Sequence, residues 1–212
     1  MDTLDERGFD IVHAFSAEDA AAEPGLELLR DPARPTAILV GNTRALWPHF
    51  AAALAADAEL AASRDPIERY TEQTLTPAAS ALGGSIYFAH RTYGERYLPF
   101  QRLAVVAGLA ALAPSQLLIH PVYGPWFALR AVIVCAGTPP PTARMPLPCR
   151  CADAGCVAAF EQASAHPDEW RGWIAVRDAC PVGRDYRYSE QQIAYHYSKD
   201  PQFLPRIERQ TV

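Results

Sequence analysis

Short apolar runs alternate along the chain with longer segments in which apolar residues recur every three or four positions. The run TAILVGN, 36–42, predicts a buried strand. A helix capped by Thr43 is predicted to extend to about residue 62, and a second helix over 66–80 follows the pair Asp65-Pro66. After two glycines, the run SIYFAHR predicts another strand.

The middle of the chain predicts one buried helix and two further strands. Residues 100–113 are apolar and rich in alanine, which favours a mostly buried helix. Residues 116–120 and 126–135 predict strands, and the turn between them is short enough for a hairpin. Because a hairpin argues against an all-parallel sheet, the helices and strands together favour an α+β fold.

A proline-rich segment divides the predicted organisation. Five prolines in TPPPTARMPLP, 138–148, predict an extended surface connector. It would separate a body, residues 1–138, from a smaller C-terminal lobe, residues 139–212, that completes the domain. Within the lobe we predict a helix over 154–165, and Ser189 begins a capping-box pattern at the start of another helix.

Length and charge exclude several classes of protein. A chain of 212 residues with half of them apolar is long enough to bury a core without covalent cross-links. The net charge of −5 gives no indication of a nucleic-acid partner or an anionic membrane surface. The acidic start is unlike a signal peptide and no apolar run reaches the roughly 20 residues of a membrane span, so we expect a cytoplasmic protein.

Cysteines are concentrated in the C-terminal lobe. Cys135 lies in an apolar strand and is expected to be a small core residue. The other four are Cys149, Cys151, Cys156 and Cys180. Thiolates suit an iron–sulfur cluster or zinc, although this spacing departs from the usual patterns of both. Two alternatives remain: a single redox-active or nucleophilic thiolate that faces a bound cofactor, and thiols with no shared role.

The turn between the two central strands contains residues that are unusual at the end of an apolar run. His120 lies at a strand end, where it could ligate a metal, donate a hydrogen bond or satisfy a loop carbonyl. Tyr123 and Trp126 predict either packing at the edge of the core or a flat aromatic wall, and Gly124 allows a positive φ. Arg130 lies in an apolar strand and therefore requires an anionic partner from the protein or a ligand.

Two segments resemble one known family. IHPVYGPWFALRAVIV, 119–134, is similar to the IHP-x-(Y/F)-G-x-W-F-A-(I/L)-R segment of the CblC-type cobalamin-processing proteins, and RDACPVGRDYRYSEQQIAYHY, 177–197, is similar to their RDA and RYSE segments. With looser matches the resemblance covers about residues 36–198. LPFQRLAVVAGLAAL, 98–112, also resembles the related cobalamin domain of epoxyqueuosine reductases and reductive dehalogenases.

The resemblance implies a flavin nitroreductase-like α+β fold with a mixed sheet and a base-off cobalamin whose upper axial ligand is removed reductively. It implies a cobalamin-binding set of His120, Pro121, Tyr123, Gly124, Trp126, Phe127, Arg130 and Arg177. Glutathione held by arginines, a reductase partner, a flavin as electron source and a homodimer are further implications. The residues CRCADAGC, 149–156, lack one arginine that the family uses for glutathione.

Three other functions stay open from the sequence. The first is an iron–sulfur-containing corrinoid redox protein, which requires the four lobe cysteines as ligands. The second is a carrier that binds cobalamin without altering it. The third is a flavin-dependent reductase on the same scaffold, for which no flavin phosphate site is visible.

Overall fold

The computed structural model describes residues 2–148, 150–151 and 153–205, and its main element is a four-stranded antiparallel sheet. In chain order the strands are β1 (Ile11–Ser16), β2 (Thr36–Asn42), β3 (Ser85–Phe88), β4 (Thr92–Tyr93), β5 (Arg96–Tyr97), β6 (Ala111–Leu112), β7 (Leu118–Ile119) and β8 (Ala128–Cys135). The large sheet has the order β1-β2-β8-β3, while β4-β5 and β6-β7 form two small hairpins.

Helices cover both faces of the large sheet. They are α1 (Asp2–Asp5), α2 (Ala17–Ala21), α3 (Leu46–Ala56), α4 (Ala58–Ala61), α5 (Pro66–Ala81), α6 (Phe100–Val106), α7 (Cys156–Ala165), α8 (Trp170–Ala179) and α9 (Glu190–Ser198). Single 3-10 turns lie at Glu27–Leu29, Arg184–Tyr186 and Pro201–Phe203. In the part of the chain that is described, no helix is both long and apolar enough to cross a membrane.

Alternate residues of β8 point into two apolar clusters on opposite faces of the sheet. Val132 and Val134 pack into one cluster with α2 and α6. Ala131 and Ile133 pack into the other with α3, α4 and α5. A strand that is buried on both faces requires apolar residues at every position, so its sequence is a continuous apolar run. This explains why β8 could be predicted from the sequence.

A β-bulge interrupts the alternation in β8. Val40 is paired with Ala131 and Gly41 with Leu129, so Arg130 is an extra residue without a partner on β2. Gly41 allows this close approach, because a Cβ at that position would lie 2.5 Å from the Ala128 carbonyl oxygen. Because of the bulge, each residue of β8 before Arg130 points to the face of the sheet opposite to the one it would occupy in an uninterrupted strand.

The strands and helices predicted from the pattern are largely confirmed, but the expected mixed sheet is wrong. Every pairing between the described strands is antiparallel. The apolar segments on either side of the His120 turn do not form a ladder with each other. Instead β7 pairs with β6 and β8 pairs with β2 and β3, and only an isolated bridge joins His120 to Gly124.

The helix predicted over 100–113 ends at Val106. Gly108 has a φ of 73°, and a Cβ there would lie 2.0 Å from the Ala143 carbonyl oxygen. The chain therefore leaves the helix at this glycine and continues into β6.

The predicted helix that follows Thr43 begins two residues late, with Ala45 in place of Thr43 as its N-cap, and is divided in two. The Thr43 hydroxyl donates to the Asp10 carboxylate over 2.5 Å, and its backbone N–H donates to the same carboxylate over 2.7 Å. Asp57 then ends α3 and caps α4, because its Oδ1 accepts from the Leu60 N–H over 2.9 Å. The predicted cap at Ser189 is confirmed, since its hydroxyl accepts from the Gln192 N–H over 3.2 Å.

Residues of the predicted C-terminal lobe pack directly against the predicted body. Tyr195 of α9 lies in the cluster that contains Phe50, and Trp126 lies in a cluster with Ile174 and Ile193. The division at residue 138 stays a prediction.

Two glycines form the contact that fixes the His120 turn against the C-terminal segment. Gly124 has a φ of 56°, and a Cβ there would lie 1.9 Å from the Val182 carbonyl oxygen. Gly183 has a φ of 73°, and its Cβ would lie 2.2 Å from the Tyr123 carbonyl carbon. Neither backbone has room for a side chain, so both strain and overlap oppose substitution.

We expect Gly124→Ala to lower the free energy of unfolding by about 2 to 4 kcal/mol, since it adds backbone strain and forces the two segments apart. Gly94→Ala is the matched control, because Gly94 has a φ of 67° but nothing lies within 4 Å of its added Cβ. The control should cost only about 1 kcal/mol. Denaturant unfolding measures both, and equal losses would contradict the proposed contact.

Candidate functional site

His120 is held in one orientation by the turn that follows it. Its Nδ1 accepts from the Val122 N–H over 3.1 Å and from the Tyr123 N–H over 3.2 Å. The backbone groups of His120 and Gly124 also exchange two hydrogen bonds of 2.9 Å. Because Nδ1 is an acceptor, a neutral His120 carries its proton on Nε2. The site therefore contains a fixed N–H donor at this position.

Burial keeps this imidazole uncharged. Desolvation by burial and, to a smaller extent, the nearby His13 together lower the pKa of His120 from 6.5 to about 4. His13 lies on β1 and its Nε2 is 2.7 Å from the Ala107 carbonyl oxygen. His120 is therefore neutral at pH 7.

An aromatic stack lies beside the turn. The Tyr123 ring stacks on the His120 ring with 4.4 Å between centroids and 17° between planes. Tyr186 contacts Tyr123 edge-on at 4.7 Å, and Phe127 contacts His120 edge-on at 5.9 Å. Val122, at the tip of the turn, is 51% exposed.

Trp126 is a core residue in this structure, which is the packing alternative of the sequence analysis. It is 1% exposed and its ring contacts Tyr188 edge-on at 5.7 Å. The guanidinium groups of Arg177 and Arg187 lie 5.9 Å and 5.4 Å from its ring centroid. A buried ring of this kind offers no open flat wall to a large ligand.

An outer cleft lies between β7, β8 and α6. Its volume is about 230 Å³ and its lining is mostly apolar, with Phe100, Gln101, Leu117, Leu118, Pro125, Phe127, Leu129 and Arg177. A larger groove of about 590 Å³ lies between α3 and α5, and none of the predicted site residues lines it.

An inner cavity lies behind the outer cleft, between β8, α8 and α9. Its volume is about 120 Å³, and it is lined by Trp126, Phe127, Ala128, Arg130, Arg177, Tyr188, Ile193, His196 and Tyr197. Phe127 and Arg177 line both spaces, so they form the wall between them.

Arg177 joins α8 to the end of the His120 turn. Its Nε donates to the Tyr197 hydroxyl over 3.0 Å, and its Nη1 donates to the Pro125 carbonyl oxygen. These bonds hold the guanidinium in the wall between the cleft and the cavity.

Arg130, the bulged residue of β8, points into the inner cavity. Its Nε donates to the Asn42 Oδ1 over 2.6 Å, while its buried Nη2 has no partner in the part of the chain that the structure describes. Of the eight predicted site residues, four line the cleft or the cavity: Trp126, Phe127, Arg130 and Arg177. The other four, His120, Pro121, Tyr123 and Gly124, form the adjoining turn and line neither space.

The predicted cysteine quartet is only partly described. Cys149 lies outside the described residues, whereas Cys151, Cys156 and Cys180 are buried together behind Ile119. Burial is the main cause that raises the pKa of the Cys156 thiol. The described residues contain no group of three histidine, cysteine or carboxylate side chains placed to hold a metal ion. An iron–sulfur cluster or zinc therefore gains no support.

Sequence reasoning missed several residues of the site. Tyr188 and Tyr197 both line the inner cavity, and Tyr186 completes the aromatic stack. Tyr188 and Tyr197 lie within the RYSE segment of the resemblance, which was the available signal. His13 gave no signal in the sequence, because its position near His120 arises from the tertiary fold.

Comparison with known proteins supports the resemblance. No family model matches the chain. The cyanocobalamin reductase / alkylcobalamin dealkylase of Bos taurus is 31% identical over 184 residues, covering 84% of this chain and 57% of the relative. The Danio rerio protein of the same name is 25% identical over 218 residues, with 92% and 84% covered. The chain thus spans little more than half the length of its bovine relative.

The fold resembles a solved structure over nearly the whole chain. A crystal structure of the C. elegans B12-trafficking protein CblC, a human MMACHC homologue, superposes with a TM-score of 0.71. The match covers 98% of this chain and 93% of the other, at 19% identity. At that identity the match shows the α+β fold alone.

The depressed pKa of His120 predicts a loss of stability in acid. Above pH 6.5 this histidine is neutral in both the folded and unfolded chain. As the pH falls from about 6.5 to about 4, the unfolded chain binds a proton that the folded chain does not, so the free energy of unfolding falls. Below about pH 4 the His120 contribution no longer changes.

Denaturant unfolding across this pH range measures the effect, and NMR titration of the His120 ring protons locates its midpoint. His120→Gln should reduce the slope of stability against pH between pH 4 and 6.5. A midpoint near 6.5 for His120 would contradict the burial that the structure shows.

Proposed function

We propose that this chain is a member of the CblC-type family, and that it binds cobalamin as a substrate and promotes reductive removal of its upper axial ligand. One observation carries the proposal. The two segments of family resemblance, 119–134 and 177–197, are far apart in the sequence but meet around one cleft and one cavity. Convergence at a concave apolar surface is expected of ligand-binding segments rather than of separate packing motifs.

The residues present suit a corrin in chemical character. The corrin is a flat apolar ring with amide side arms, and the outer cleft combines apolar side chains with the Gln101 amide and the Arg177 guanidinium. The cleft volume of about 230 Å³ is smaller than the roughly 300 to 1,000 Å³ of common ligand pockets. The proposal therefore requires that cobalamin widens the cleft or remains partly outside it.

His120 acts in this proposal as a hydrogen-bond donor and not as a cobalt ligand. Its Nδ1 already accepts two backbone N–H groups, so the lone pair on Nε2 is occupied by a proton at neutral pH. Coordination through Nε2 would require loss of that proton or of both turn bonds. Donation to an amide carbonyl of a corrin side arm requires neither, and leaves the cobalt without a protein ligand in the base-off state.

The proposed reaction is reduction at cobalt with departure of the upper ligand. For cyanocobalamin, an electron donor reduces the cobalt, and the Co–C bond breaks with its electron pair on cyanide. The electrons come from a reduced flavin or a reductase partner, which this chain would meet at the exposed side of the cleft. Glutathione held by Arg177 is the second route, and two of the three Arg177 nitrogens already donate within the protein.

Titration with hydroxocobalamin tests binding. We expect the absorption spectrum to shift to the base-off form, and His120→Ala to weaken binding by about tenfold through the loss of one hydrogen bond and of the fixed turn. His166→Ala is the control, because His166 is exposed at the end of α7. No spectral shift with the wild-type protein, or equal affinity in the two variants, would show the assignment to be wrong.

Turnover separates an enzyme from a carrier. Under anaerobic conditions with reduced flavin, the protein should release cyanide from cyanocobalamin at a rate above that of the same mixture without protein. Replacing flavin with glutathione and cyanocobalamin with methylcobalamin tests dealkylation. Tight binding without release of either upper ligand would support the carrier. The homodimer stays a prediction, and sedimentation with and without cobalamin measures it.

A further inference from the structure

The inner cavity contains a buried cation that forms no ion pair with any of the described residues. Within the described ranges, the Arg130 side chain donates one hydrogen bond, to the neutral amide of Asn42, and its Nη2 is buried without a partner. Burial lowers the pKa of this guanidinium, yet an arginine remains charged in a protein. A buried charge that no opposite charge compensates is costly, so the site favours an anion.

Nearby carboxylates among the described residues are engaged elsewhere. Glu68 forms an ion pair with Lys199 at 3.7 Å. Asp10 accepts both the backbone N–H and the hydroxyl of Thr43. Neither forms an ion pair with Arg130, so the described chain supplies no anion to the cavity.

Two further polar atoms at the cavity are buried and unpartnered. The Tyr188 hydroxyl and the His196 Nε2 have no hydrogen-bond partner among the described residues, and Tyr188 is 8% exposed. Burial raises the pKa of Tyr188 to about 12 and lowers that of His196 to about 3, so both are neutral at pH 7. Each can donate one hydrogen bond but neither can neutralise Arg130.

We propose that the inner cavity is a binding site for a small carboxylate, held by Arg130, Tyr188 and His196. A guanidinium and two neutral donors match the two acceptor oxygens of a carboxylate. The volume of about 120 Å³ suits an anion of one or two carbons. Water would satisfy the donors but would leave the charge of Arg130 uncompensated. This proposal does not rest on the proposed binding of cobalamin.

Binding of formate and acetate tests the site directly. The full chain is dialysed free of carboxylates and titrated at constant ionic strength, with chloride as the balancing anion. We expect a saturable rise in the midpoint of thermal unfolding and saturable line broadening of ¹³C-labelled formate. A rise that chloride reproduces, without saturable broadening of formate, would show screening alone and overturn the proposal.

Variants that each remove one hydrogen-bond donor locate the bound anion. Tyr188→Phe and His196→Phe each remove one donor and should weaken formate binding by about tenfold, because a hydrogen bond to a charged group is lost. Tyr97→Phe is the matched control, since Tyr97 is 63% exposed on β5. Binding that both donor variants leave unchanged would place the anion elsewhere. If either variant fails to fold, the other variant and the formate signal of the wild-type protein still decide the question.

A second arm of the same titration tests whether the carboxylate belongs to a free small anion or to a longer ligand. N-acetylglycine carries the same group on a longer chain, which the cavity does not hold unless the chain passes the wall of Phe127 and Arg177. Stronger binding of acetate indicates a free small anion. Stronger binding of N-acetylglycine indicates the end of a longer ligand that enters from the outer cleft. Failure of both ligands to bind would refute the site and would leave the cobalamin proposal intact.

Discussion

The bulge at Arg130 is the constraint on which both candidate spaces depend. A regular β8 would continue its alternation, and Leu129 would then share a face with Ala131 and Ile133. The extra residue reverses this pattern, so that Phe127 and Leu129 pack with Val132 and Val134 instead. The opposite face then receives Ala128 and Arg130, where α9 closes the inner cavity. One inserted residue thus gives the outer cleft its apolar floor and the inner cavity its charge.

The contact between Gly124 and Gly183 fixes the side of the site that lies opposite the bulge. β8 fixes where the His120 turn ends, and the close approach of the two glycines fixes where the segment after Cys180 lies against it. That segment leads through Tyr186 and Tyr188 into α9, so its position decides which side chains reach the turn and the cavity. Arg177 adds a third connection through the Pro125 carbonyl. The bulge, the glycine contact and the hydrogen bond from Arg177 to Pro125 therefore bring together residues that lie far apart in the sequence.

The hydrophobic pattern predicted helices and strands well where neighbouring residues in the sequence determine them. It predicted them poorly where contacts with distant residues determine them. The strand at 36–42 and the cap at Ser189 follow from apolar runs and a hydroxyl, and both are confirmed. The helix over 100–113 failed because Gly108 meets the Ala143 backbone, a contact that no local window contains. The bulge could not be predicted from the sequence either, since an arginine within an apolar strand indicates only that its charge requires a partner. The family resemblance selected His120, but the proton on Nε2 follows from two backbone bonds that only the fold shows.

The outer cleft and the inner cavity favour ligands of different size and charge. This difference limits how the occupant of one space could affect the other space. The outer cleft offers apolar area together with the Gln101 amide and the Arg177 guanidinium, so it favours a large ligand with amide groups. The inner cavity offers an uncompensated charge in a small volume, so it favours a compact anion. Phe127 and Arg177 belong to both walls, and Arg177 is held by Tyr197 from the inner side and by the Pro125 carbonyl from the turn. An occupant of either space that moves this guanidinium therefore changes the other space through direct contact.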